Sequence, residues 1–110
     1  MDGGEWMDKQ VLAAANFFSQ KAYVNPDFAN LPVAIRQEVK RLVILTAERS
    51  RGLFSLGFYA DGRLFFELTQ DEQGAASPAA VIARFQEEHG ELVNQLQLWY
   101  RLVVMGKGVE

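Results

Sequence analysis

His89 is the single histidine of the chain and there is no cysteine, so a Ser-His or Cys-His relay would have to pass through that one ring. No serine stands in a nucleophile-elbow context to meet it. Glu88 and Glu91 are close in sequence, but Glu88 and His89 point in different directions on a helix. Three positions upstream of His89 stands Gln86, not the glutamate of a di-iron motif. His89 therefore reads as a partly buried structural histidine and no metal site is expected. Glu67, Asp71 and Glu72 are the carboxylates that acid-base chemistry would use, yet the last two fall in a loop and nothing sets a second carboxylate opposite Glu67. Gly106-Lys107-Gly108 lacks the spacing and the following Ser or Thr of a phosphate loop. No catalytic residue, metal ligand or cofactor is assigned. One polar-aromatic cluster could line a ligand pocket: Asn16, Gln20 and Tyr23, with Lys21 and Asn25 beside them. On a helix Asn16 and Gln20 share a face, so both could hydrogen-bond one ligand.

The elements that would position these residues follow from apolar spacing. Met7, Val11, Ala14, Ala15, Phe18 and Ala22 fit one face of a first helix from about Met7 to Tyr23. Asn25-Pro26 ends it, in a turn that sends Phe28 into the core. Pro32 opens a second helix with Ile35, Val39, Leu42 and Thr46 inward, Ile44 outward among Gln37, Lys40, Arg41 and Glu48, and Gly52 as its stop. Leu53 to Thr69 form an antiparallel hairpin around Ala60-Asp61-Gly62. A three-residue loop with Gly62 in the left-handed position pairs Phe58 with Leu64, Leu56 with Phe66 and Phe54 with Leu68, giving one apolar face. The other face sets Phe65 over the bare backbone of Gly57. Gln70 to Ser77 is a linker, and Ser77-Pro78 caps a long last helix. Its inner seam is Ile82, Phe85, His89, Leu92, Leu96, Trp99 and Val103. Gly90 allows a bend and Gly106 ends the helix. A second row, Leu98, Leu102 and Met105, needs a cover of its own.

These elements predict an α+β fold in the order helix, helix, hairpin, helix, with three helices covering a two-stranded antiparallel hairpin. A chain of 110 residues suits a single domain with one core. The acidic, polar start, Met1 to Glu5, is unlike a secretory signal, and no run of apolar residues is long enough to span a bilayer. A cytoplasmic protein without a membrane partner is expected. A net charge of -3 argues against nucleic acid. Arg36, Lys40, Arg41, Arg49 and Arg51 outnumber Glu38 and Glu48 locally, which reads as a solvated helix face whose long stems cover apolar surface.

Ala15-Asn16, Gln20-Lys21, Tyr23, Asn25-Pro26-Asp27-Phe28, Leu31-Pro32 and Ile35, with the Asp61-Gly62 hairpin and Leu98-Trp99-Tyr100, resemble a family of small uncharacterised proteins of Gram-positive bacteria. The resemblance implies a compact domain of unknown function and brings no catalytic residues. A two-stranded sheet is marginal on its own and leaves both edges unpaired. The leading expectation is therefore a non-enzymatic interaction or structural module, self-associating as a homodimer or meeting another protein. Its candidate contacts are Leu98, Leu102, Met105, Ile44 and Phe65. The alternative is a small-ligand-binding domain with a cleft between the first and last helices.

Overall fold

From Lys9 to Asn16 the chain is extended. In the computed structural model, which describes residues 9–70 and 77–106, β1 (Lys9–Asn16) and β2 (Lys21–Val24) form a hairpin. This overturns the helix expected from Met7 to Tyr23. The turn chemistry shows why. The Asn16 side chain accepts hydrogen bonds from the backbone N–H groups of Phe18 and Ser19 at 2.8 and 3.4 Å, while its carbonyl accepts from Gln20 N–H at 2.9 Å. An asparagine bonded in this way turns the chain, and Gln20, at φ 59°, reverses it into β2. The run Leu12-Ala13-Ala14-Ala15 fits a helix or a strand by periodicity alone. Neighbours decide it: Ala13 and Ala15 are buried, and their small side chains let the first true helix approach the sheet. Leu12, fully buried, is the extra residue of a bulge between Val11 and Ala13. Asn25 closes that bulge, donating from its backbone to Leu12 O and from its side chain to Val11 O, both at 2.8 Å.

After a 3-10 turn at Pro26–Phe28 comes α1 (Val33–Ser50). Its buried residues are Val39, Leu42, Val43, Ala47 and Ser50, so Val39 and Leu42 face inward as expected, Val43 and Ala47 join them, and Ile35 and Thr46 are half-buried. Ile44 is half-buried against the core rather than free on the outer face. The helix stops at Arg51, which takes a left-handed conformation at φ 55°, and Gly52 begins the next strand.

β3 (Gly52–Tyr59) and β4 (Leu64–Gln70) complete a sheet of four antiparallel strands in the order β2-β1-β3-β4. The predicted two-stranded sheet and helix-helix-hairpin-helix order are therefore incorrect, because β1 takes the edge of β3 that the prediction left open. Within the β3-β4 hairpin the expected register holds: Phe54 faces Leu68, Leu56 faces Phe66 and Phe58 faces Leu64. Gly62 sits at φ 94°, its N–H donating to Tyr59 O at 2.9 Å. Phe65 does cover the backbone of Gly57.

The last helix is broken. α2 (Pro78–Glu88) and α3 (Gly90–Trp99) meet at His89, whose φ of -125° and ψ of 35° leave the helical region. Ser77 caps α2, accepting from Ala80 N–H at 3.2 Å. A π-helical turn, Tyr100–Val104, follows α3, and Gly106 ends it at φ 68°. That wider turn shifts the register of the expected seam. Tyr100 is buried against Phe58, with ring centroids 4.4 Å apart, Met105 packs on the core, and Val103 is exposed. The core lies between the sheet and the helices, with Phe28, Leu31, Phe85 and Leu96 closing over Phe54, Leu56 and Phe58. Among the described residues no helix is long and apolar enough to cross a membrane.

Candidate functional site

Two helices that lie side by side on one sheet bury their facing rows and leave a furrow where the rows diverge. α1 enters β3 at Gly52, and Gly52 pairs with Gln70 at the far end of β4. The Gln70 side chain donates to Ser50 O at 3.0 Å, fastening those two ends together. The chain then returns through α2, so α1 and α2 run antiparallel. Each contributes two rows at helical spacing. The inner rows are Leu42, Thr46, Ser50 and Val81, Phe85, His89; the outer rows are Arg41, Leu45, Arg49 and Ala80, Arg84, Glu88. Together they line a groove of about 430 Å³, a volume in the range of small-molecule sites.

The floor is apolar in effect although it contains two hydroxyls. Thr46 Oγ1 donates to Leu42 O at 2.7 Å and Ser50 Oγ to Thr46 O at 2.6 Å, so each is satisfied by its own helix. Phe85 is buried beneath, 5.4 Å from Phe54 and 5.6 Å from Phe66 between ring centroids. His89 packs on Phe85 at 4.9 Å. The rim is charged. Arg41 forks onto Glu38 at 2.8 and 3.2 Å, and its donors, helped by His89, hold the Glu38 carboxyl below its usual range. Arg84 reaches Glu88 at 3.2 Å. Arg49 has no carboxylate partner among the described residues. Such a lining offers shape, apolar area and positive charge. Among the described residues no group of three potential metal ligands is found.

The residues singled out from the sequence are dispersed. Asn16, Gln20 and Ile44 share a small cleft of about 80 Å³, too small for a metabolite, and Gln20 Nε2 is spent on Phe17 O at 2.8 Å. Tyr23 pairs across from Ala14, whereas the residues facing α1 are Ala22 and Val24; it stands apart from that cleft. Leu98 and Leu102 are 52% and 44% exposed and form a ridge with Val103 and Val104. Met105 turns inward, towards the Gly62 turn. Phe65, 3% exposed, is enclosed by the backbone of Gly57, the ring of Tyr59 and the Lys9 ammonium. Asp71, Glu72, Lys107 and Gly108 lie outside the described residues. Sequence reasoning missed the groove. Its signal was present in the basic run from Arg36 to Arg51, where Arg41, Leu45 and Arg49 recur every four residues, and in the matching spacing of Val81, Phe85 and His89.

Comparison with curated proteins and with solved structures finds no match to this chain. A family model does match residues 9–108, which takes in the whole of the described fold and the groove within it, and the chain belongs to that family, DUF6145, a family of unknown function.

Proposed function

We propose that the protein is a non-enzymatic binding domain whose site is the groove between α1 and α2, and that its ligand is a small amphipathic molecule with an apolar body and an anionic group. The observation that carries this is the contrast between the groove and the chain around it. Arg41, Arg49 and Arg84 stand around an apolar floor; Glu38 and Glu88 pair with Arg41 and Arg84, which leaves the Arg49 guanidinium as the rim charge without a carboxylate partner among the described residues, in a chain of net charge -3. Burial of apolar surface would supply the affinity and the rim the orientation.

Titration with 1-anilinonaphthalene-8-sulfonate, an apolar fluorescent anion, tests the reading. Saturable binding at one site is expected, weakened at least tenfold in Leu45→Glu, which puts a carboxylate in the mouth of the groove. The circular dichroism of that variant should match the wild type. Absence of saturable binding, or equal affinity in the folded variant, would overturn the assignment.

A second reading, self-association, rests on the ridge of Leu98, Leu102, Val103 and Val104, four large aliphatic side chains exposed within one stretch of seven residues. Apolar ridges of this kind are where homodimers form. Sedimentation velocity across a hundredfold range of concentration checks it.

A further inference from the structure

We propose that the ligand of the α1-α2 groove is an unbranched monocarboxylic acid, held with its carboxylate on Arg49 and its alkyl tail lying along Leu42, Leu45, Val81 and Phe85. This rests on the binding-domain reading above and adds the class of ligand and its direction. The two ends of the groove differ because the helices are antiparallel. Arg49 and Ser50 stand at the same end as Ala80 and Val81, and Arg41 at the end of Glu88 and His89, where Glu38 of α1 shares a surface with them. At that second end the surface turns acidic, with Glu38, Glu87, Glu88 and Glu91 around His89. Arg41 and Arg84 are already engaged by Glu38 and Glu88. Arg49 is the rim guanidinium with no such engagement among the described residues, and its planar fork of donors matches a carboxylate in two parallel hydrogen bonds. One guanidinium matches one negative charge. A second anionic group on the same ligand would meet the glutamates at the far end, so diacids are disfavoured. An unbranched tail follows the floor, which is a pair of rows with Val81 to His89 extending about 12 Å.

Isothermal titration of the whole chain with hexanoate, octanoate and decanoate, and with 1-octanol, tests the proposal. Affinity should rise about fourfold for each methylene added, and octanoate should bind more tightly than 1-octanol. Arg49→Gln, an exposed substitution whose folding is checked by its melting temperature, should weaken octanoate about tenfold and leave 1-octanol unchanged. Arg84→Gln should weaken octanoate less than twofold. Equal binding of octanoate and 1-octanol, or equal losses in the two arginine variants, overturns the placement of the carboxylate while 1-anilinonaphthalene-8-sulfonate still occupies the groove. If that dye also fails to bind, the groove itself is not the site and both proposals fall together.

Discussion

Replacing Gly57 by alanine adds one methyl group where β3 lies against the backbone of β1. A Cβ at this position would overlap the carbonyl oxygen of Gln10 and approach the Cα of Val11 and Cε2 of Phe65 to 2.8 Å each. Carbon atoms settle at about 3.5 to 4.0 Å, so β1 and the Phe65 ring must each retreat by about 0.7 Å or more. Two of the three obstacles belong to β1 backbone, which cannot turn aside as a side chain can. β1 is also anchored just beyond, where the Leu12 bulge is fastened to Asn25 by hydrogen bonds of 2.8 Å. Relief therefore comes from opening the ladder around Gly57. Loss of two or three such bonds, each worth about 0.5 to 1.5 kcal/mol, with loosening of Phe65, costs about 2 to 4 kcal/mol. For a chain of 110 residues the unfolding entropy near the midpoint is about 230 cal/mol/K, so the melting temperature should fall by about 9 to 17 °C. Differential scanning calorimetry reads this directly. A drop under 2 °C would show that the strands do not meet at Gly57 as described.

Gly62→Val forces a β-branched residue to φ 94° beside Arg101, Met105 and Tyr100 and should lower stability by about 1 to 3 kcal/mol; an unchanged urea midpoint would contradict the three-residue turn. Asp61 has its carboxyl held below the usual range, first by the Arg63 backbone N–H and then by the Arg63 side chain. A depressed folded pKa contributes stability that is complete above the unfolded value of about 3.9 and disappears as pH falls through the lowered folded value. Asp61→Asn should therefore flatten the acid limb of the stability profile, by a small amount because the pair is exposed; identical slopes below pH 4 would count against the pairing. The double change Leu98→Glu and Leu102→Glu falls on exposed positions, so the fold should survive with a melting temperature within about 3 °C of wild type. Any self-association through the ridge should disappear, and unfolding of this variant would mean that the two leucines are buried.

The β3-β4 hairpin was legible because its constraints are local. Asp61-Gly62 supplies the turn, and alternation of Phe54, Leu56 and Phe58 against Leu64, Phe66 and Leu68 permits only one register with an apolar face. The β1-β2 hairpin was not, because alanines at 13, 14 and 15 favour a helix locally and become strand only through β3 on one side and α1 above. Propensity lost to tertiary packing there. Gly90 marked the bend beside His89, but nothing in Tyr100 to Val104 announces a π turn, so Val103 and Met105 were assigned to each other's sides. The basic residues of α1 were visible as charge. Their meaning depends on α2 lying antiparallel beside them, which no spacing within either helix reveals.

The most direct test of the central claim is a proton–nitrogen correlation spectrum of the labelled protein titrated with octanoate. Shift changes should concentrate on Leu42 to Ser50 and Ala80 to His89 and include the side-chain Nε–H of Arg49, while β2 and the ridge from Leu98 to Val104 stay still. Changes centred on the sheet's open face or on that ridge, or a spectrum that does not move, would contradict a ligand site between α1 and α2.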